Sequence, residues 1–331
     1  MAPTESQFRR SRLLTATTLK ESIRLQRDAL KGLLGVSMLE LANQCAAVIG
    51  ERDKLEALLT EELPKLSYCK HLYVMDVAGN QLTDNIRSTS PDPDHFGRNR
   101  MGRPYMEGIV GITDFKLSNS YISRNKKRPS LTAIHAIRND AGELIGFLGA
   151  DYDLRELPHT ERIYQEPDNW RQVKGDPAIR GGLFQQCRVD SVMDQQLDEV
   201  LPIMTELMSE HGVFHGKLHF SSSRATIWMV DDPFSYRILS IDELTDPNIV
   251  LAYPRRPYHE RAIVPTDQIA PVFEMFRTLR FADENIYLRA GSLNVINGMV
   301  GLNFSCDGSH YMRFDEFLEK SSDFWFGATA S

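Results

Sequence analysis

Several clusters in this sequence have residue types and spacings that could do chemistry. HGVFHGKLH sets His211, His215 and His219 four residues apart, and SCDGSH sets Cys306 and His310 at the same interval. Imidazole and thiolate are zinc ligands, so a metal site is one reading. Gly212 and Gly216 argue against one helix through the histidines. In a strand a spacing of four keeps one face, yet the glycines invite a turn that would separate them. SCDGSH also brings a cysteine, Asp307 and His310 together as nucleophile, acid and base. Triad partners ordinarily come from separate segments, and an Asp-Gly turn is the alternative. Ser221, Ser222, Ser223 and Arg224 have the residue types of a phosphate site without its glycine-rich loop. YPRRPYHER is a basic patch suited to an anion or a partner, or to a solvated face. Finally, RNRMGRPYM stands Arg98, Arg100 and Arg103 beside Tyr105. A planar guanidinium grips a carboxylate with two parallel hydrogen bonds, more strongly where water is partly excluded.

The elements that must position RNRMGRPYM are two runs of strand formers on either side of it. HLYVMD, a turn of VAGN and QLTDN read as a first hairpin; SLTAIHAI, a turn of RNDAG and ELIGFLGADYDL read as a second. The polar, proline-bearing segment from Arg87 to Arg100 reads as a loop large enough to carry a binding task. Two hairpins with an insert of arginine and tyrosine between them predict one antiparallel sheet covered on one face, which leaves room for a ligand.

In order along the chain come Asp76 to Gly79, Arg103-Pro104-Tyr105, Tyr121, and a last strand from Gly146 to Leu154 that contains Asp151. These motifs resemble the Cache superfamily, the PAS-like small-molecule sensor domains also called PDC sensors, over residues 64–157. The resemblance implies that Arg103 meets a ligand carboxylate, that Tyr105 and Tyr121 wall the pocket, and that Asp151 holds a ligand amine. Tyr73, Arg98, Ser123 and His135 complete the lining it implies, although His135 on an apolar strand reads equally as a satisfied core residue. Amino-acid-sensing members carry Arg-x-Trp-Tyr, where this chain has Met106 after Tyr105, and an Asp two residues after the tyrosine, where it has Ser123. Losing that carboxylate places an organic acid or other small anion beside an amino acid as the expected ligand. The bland alternative is that Arg103 and Asp151 pair with each other.

The rest of the 331 residues reads as α+β. Residues 1–63 form an N-terminal helical segment whose apolar residues recur every three or four positions from Leu19 to Cys45, with a break near Gly50. That helix packs within the chain or forms the seam of a homodimer. Residues 64–157 are the sensor-like domain, 158–190 a polar connector, and 191–331 a second α+β domain, read as a further PAS-like module. In it SVMDQQLDEVLPIMTELMSEHG is a helix started by Ser191 and Asp194, and VFHGKLHF, RATIWMVD, YRILS and NIVLAYP are strands. TDQIAPVFEMFRTLRF is a second helix, ENIYLRAGSLNVINGMVGLNFSCD supplies two or three more strands, and FDEFLEKSSDFWFG ends the chain with docking aromatics. A net charge of −7 favours neither nucleic acid nor an anionic membrane. The basic start MAPTESQFRRSRLL has no apolar core after it, and charged and amide residues interrupt the most apolar helix, so neither a secretory signal nor a membrane span is expected. Scattered Cys45, Cys69, Cys187 and Cys306 fit free thiols in a reducing compartment. The expectation is a cytoplasmic, non-enzymatic sensor that needs no cofactor and signals through an unidentified protein partner. The alternatives are an enzyme or metal protein built around His215, His219, Cys306, Asp307 and His310, and a structural module with a vestigial pocket.

Overall fold

The computed structural model describes residues 19–87, 95–109, 114–124, 127–159, 187–306, 308–320 and 324–325. The basic start of the chain, most of the polar connector and Asp307 lie outside the described residues. The chain divides into two compact units at about residue 163.

The first unit begins with helix α1, Leu19–Val48, whose buried residues Leu30, Leu34, Met38, Leu41, Ala42 and Cys45 form one stripe. Long unbranched side chains favour the helix, and the stripe gives it a face to bury. The Glu51 amide bonds the Val48 carbonyl at the expected break. Helix α2, Arg52–Glu62, follows and ends at Pro64 in a 3-10 turn. The sheet consists of β1 Cys69–Met75, β2 Phe115–Leu117, β3 Tyr121–Ile122, β4 Pro129–Arg138 and β5 Leu144–Asp153. Its order is β1-β5-β4-β2, with β3 also paired to β4, and every pairing is antiparallel.

The second predicted hairpin is β4 and β5, turned at Asn139–Gly142 with Gly142 at φ +79°. The first is only half a hairpin. β1 forms a strand with one register shift between Cys69 and His71, but its return makes isolated bridges, Met75 to Gln81 and Leu72 to Ile86. The reason lies in the polar return strand. Thr83 Oγ1 accepts the Val74 amide at 3.1 Å, so a side chain replaces a carbonyl in the ladder.

Helix α1 packs against one face of the sheet, with Gly35 against the Phe115 ring and Ile49 close to Gly146. Because strand side chains alternate, the opposite face carries Tyr73 and Met75 from β1, Ile134 from β4 and Phe147 from β5, joined by Tyr105, Met106 and Ile109 of the insert. In the register, Tyr73 faces Gly149 and Thr132 faces Asp151.

In the second unit Ser191 and Asp194 form a capping box on α3, Val192–Gln195, followed by α4, Leu197–Glu210. Six strands follow: β6 Val213–His219, β7 Arg224–Met229, β8 Asp232–Ser240, β9 Leu288–Asn294, β10 Met299–Phe304 and β11 Ser309–Arg313. Helices α5, Ile241–Leu244, and α6, Thr266–Phe281, fall between β8 and β9, and α7, Phe314–Glu319, follows β11. The order β11-β10-β9-β6-β7-β8 sets two three-stranded meanders side by side, unlike the order of the first sheet. Buried Arg280 holds the capping box to the sheet through Asp194 at 2.6 Å and the Leu288 carbonyl. NIVLAYP is not a strand. Pro247–Ala252 is a run of 3-10 turns started by the Asp246 carboxylate on the Asn248 amide, and all of Asn248 to Ala252 is buried. A short apolar run without alternation does not distinguish strand from helix, and the cap decided it.

Gly149 is the register position most sensitive to change. A Cβ there would lie 2.4 Å from Cε2 and 2.6 Å from Cζ of Tyr73. Gly149→Ala should therefore lower the stability of the protein by ~1–3 kcal/mol through overpacking. A denaturant midpoint equal to that of the wild type would show that the Tyr73 ring is not held against the strand.

Candidate functional site

A turn starts the site. Asp76 Oδ1 accepts the amides of Ala78 and Asn80, its Oδ2 accepts the Asn80 side chain, and Gly79 supplies the left-handed residue at φ +81°. Asn99 bonds the Ala78 carbonyl and the Asn80 side chain, and the Arg100 amide bonds the Gly79 carbonyl at 2.8 Å. The Asp-x-x-Gly motif thus clamps the segment that presents the arginines.

Pro104 then fixes Arg103. A residue before proline is pushed to extended backbone, and Arg103 has φ −91° and ψ 146° at the start of the 3-10 turn Pro104–Met106. Its guanidinium carbon lies 5.8 Å from the centre of the Tyr105 ring. Arg103 Nε is buried and has no hydrogen-bond partner among the described residues. Leaving a charged donor buried and unbonded costs more than the ~1–3 kcal/mol of a neutral group. Arg188 Nε, Arg237 Nη1 and Arg277 Nε of the second unit share that state, and Arg103 is set apart by the tyrosines and the carboxylate gathered around it.

Three tyrosines line the face beside it. The Tyr105 ring centre is 6.5 Å from that of Tyr73 and 5.7 Å from that of Tyr121. The Thr132 hydroxyl donates to Asp151 Oδ1 at 2.7 Å. Its single proton being spent there, Tyr121, 2.8 Å away, must be the donor to Thr132. The Tyr73 hydroxyl donates to the same Asp151 oxygen at 3.2 Å. Asp151 Oδ2 lies 3.8 Å from His71 Nδ1, beyond hydrogen-bond length. Burial, reinforced by the Asp151 charge, pushes the Tyr73 and Tyr121 hydroxyls well above the ordinary tyrosine range, so both stay protonated donors. Burial also raises Asp151, against the opposing hydrogen bonds of Thr132 and Tyr73 and the positive charges of His71 and Arg100. A quarter of its side chain, 25%, nonetheless remains in reach of solvent.

Of the residues implied by the resemblance, Tyr73, Tyr105, Tyr121, Arg103 and Asp151 come together here, and Arg103 and Asp151 do not pair with each other. Three do not join them. Arg98 is exposed and contributes its carbonyl to the Gln81 amide. Ser123 closes the turn to β4, its amide on the Arg128 carbonyl and its hydroxyl accepting the Arg128 amide, because β3 ends one residue before it. His135 lies on the helix side of β4 against Phe115, its Nδ1 at the Ala136 carbonyl, because odd positions of that strand face away from Thr132 and Ile134. Thr132, Gly149 and Arg100 belong to the site and are not among the residues the resemblance implied. Arg100 stood in the same arginine cluster as Arg103, and only its bonds single it out.

Among the described residues the histidines of the second unit do not converge, and Asp307 of SCDGSH lies outside them. His211 bonds the Tyr253 carbonyl, His215 stacks on Trp228 at 4.6 Å, His219 bonds Thr226, and His310 packs against Phe304. No three His, Cys, Asp or Glu side chains converge as metal ligands among the described residues. Likewise no helix among them is long and apolar enough to cross a membrane.

Neither a protein-family profile nor a curated protein matches the chain. Solved structures do. Parts of chemoreceptor ligand-binding domains are similar to it. The domain of Pseudomonas fluorescens CtaA in complex with L-isoleucine is 21% identical over 40% of this chain and 52% of its own, with a TM-score of 0.31. That of Pseudomonas aeruginosa PctB with L-Gln is 18% identical over 41% and 55%, with a TM-score of 0.32. The sensory domain of Campylobacter jejuni Tlp3 with isoleucine bound is 17% identical over 48% and 69%, with a TM-score of 0.34. The chain spans 25% of the first of the matched structures, an extracellular ligand binding receptor from Desulfohalobium retbaense, and 52% of the CtaA domain. At such scores the likeness is loose, and the site described above rests on this chain's own geometry.

The raised Asp151 has a consequence for stability. Between its ordinary value, 3.8, and the raised one, the native state holds a proton that the unfolded chain has lost. Stability therefore falls as pH climbs through that window, and the penalty is complete above it. Asp151→Asn never ionises, so its melting temperature relative to wild type should rise between about pH 3 and pH 8. A difference that shrinks with rising pH would show that the native fold favours the charged carboxylate.

Proposed function

We propose that the unit before residue 163 is a small-molecule sensor whose ligand places a carboxylate on Arg103, the ligand being an organic acid or an amino acid. The observation that carries this reading is the buried Arg103 Nε without a partner, set against the Tyr105 ring. An oxygen ligand with in-plane lone pairs satisfies that donor and the neighbouring Nη together. Asp151 Oδ2, with Oδ1 already held by Thr132 and Tyr73, is the acceptor for an amine or hydroxyl on the same ligand. Tyr73, Tyr105 and Tyr121 supply the apolar walls and fix its orientation.

The site binds charge; it does not break bonds, in this reading, and the protein acts without a cofactor. Burial also keeps the nearby thiol Cys69 protonated by pushing its pKa well up, which suits packing and not nucleophilic attack. The sensor works in the cytoplasm and reports to a separate protein partner, for which ligand binding has only to favour one arrangement of α1 over another. Leu33, Val36 and Leu39 are exposed at 47%, 75% and 48% on the face of α1 turned from its core stripe, and they support a homodimer through that helix.

Two measurements test this. A thermal-shift screen of small organic acids and amino acids should yield at least one that raises the melting temperature, and Arg103→Gln should remove the effect without lowering the unliganded melting temperature. No stabilising compound in a broad library, or undiminished stabilisation of the variant, would overturn the reading. Light scattering should give a dimer for the full chain and a monomer for Val36→Glu; a monomeric wild type refutes the seam.

A further inference from the structure

Arg100 is a second cation on the same tyrosine pair. Its guanidinium carbon is 5.9 Å from the Tyr73 ring centre, as that of Arg103 is from Tyr105, and the two rings are 6.5 Å apart. Unlike Arg24, Arg52, Arg256 or Arg280, it has no carboxylate partner among the described residues. Arg100 Nε donates to Gln81 Oε1 at 2.8 Å, and Nη2 lies 2.8 Å from His95 Nδ1. A guanidinium can only donate, so His95 accepts through Nδ1. Gln81 is buried and doubly anchored, its Nε2 on Asn85 Oδ1 at 2.7 Å and its amide on the Arg98 carbonyl. Two neutral acceptors therefore aim the group, and no carboxylate is bonded to it among the described residues. Nη1 keeps its donors without a partner among the described residues. The positive charge of Arg100 reaches both Tyr105 and Asp151.

Two guanidiniums against one pair of tilted rings repel each other, and a single ligand carboxylate pairs with only one of them. We propose that the ligand carries two acidic groups, one held by Arg103 and the other by Arg100, so that the site selects small diacids over monoacids. Gln81 and His95 are the positioning residues that hold the second guanidinium in place. This inference rests on the sensor reading and narrows it. Selectivity follows because a monoacid leaves Arg100 desolvated by the bound ligand and unpaired, a cost that a diacid does not meet.

The test is isothermal titration of the full chain with succinate, glutarate and L-aspartate against butanoate and L-alanine. At least one diacid should bind about tenfold or more tightly than the monoacid of equal chain length, the value of one charge-assisted hydrogen bond. Arg100→Gln should abolish that advantage, weakening diacids and leaving monoacids at least as tightly bound as in the wild type, and Arg103→Gln should weaken both classes. Arg100→Lys, which keeps the charge and loses the planar fork, should fall between, and it serves if the glutamine variant does not fold. Gln81→Leu should lower diacid affinity alone. Monoacids that bind through Arg103 as tightly as diacids, or a diacid advantage that survives Arg100→Gln, would overturn the inference and leave the sensor reading standing. If no compound binds, both fall.

Discussion

A buried guanidinium nitrogen without an acceptor is costly, and in the first unit Arg103 Nε has none among the described residues. Much of the first unit can be understood as the scaffold that keeps it so. Pro104 locks the backbone of Arg103 extended, and the adjacent 3-10 turn seats Tyr105 in the core cluster. Asp151 is committed through one oxygen to Thr132 and Tyr73 and forms no ion pair with Arg103. A pair that cancelled would be a structural ion pair; two unlike charges left unpaired are what a ligand bearing both complementary groups would need.

The sheet supplies the geometry for this separation. β1, β4 and β5 are antiparallel, so Tyr73, Thr132 and Asp151, distant in sequence, reach one face through strict alternation, and a shift of one residue would send all three to the helix side. Gly149 completes the register by omitting the one side chain that would occupy the place of the Tyr73 ring. Helix α1 covers the other face of the sheet, so the insert and the helix lie on opposite sides of it.

What could be read in the sequence was the part that depends on local chemistry. The helix break at Gly50, the β4–β5 hairpin with its Asn139–Gly142 turn and the Ser191 capping box follow from residue types at fixed spacings, whereas the gathering of Arg103, Tyr105, Tyr121 and Asp151 was implied only by the family resemblance. What could not be read depends on partners far along the chain. The role of Arg100 is set by Gln81 and His95, and neither forms a motif with it. His135 and Ser123 were one strand face and one residue away from the site, differences fixed by where β3 ends and which way β4 alternates. NIVLAYP has the composition of a strand, and a single aspartate cap turned it into 3-10 helix. The histidines of the second unit have ligand-like spacing, yet each is satisfied by its own neighbour.

The most direct measurement is a crystal structure of the full chain grown with the acid that stabilises it most. The expected result is density between Arg103 and Asp151, with a ligand oxygen within about 3 Å of Arg103 Nε and the three tyrosines around it. Arg103 bonded to a carboxylate of the protein itself, with Tyr105 or Tyr121 occupying the space between it and Asp151, would contradict the central claim.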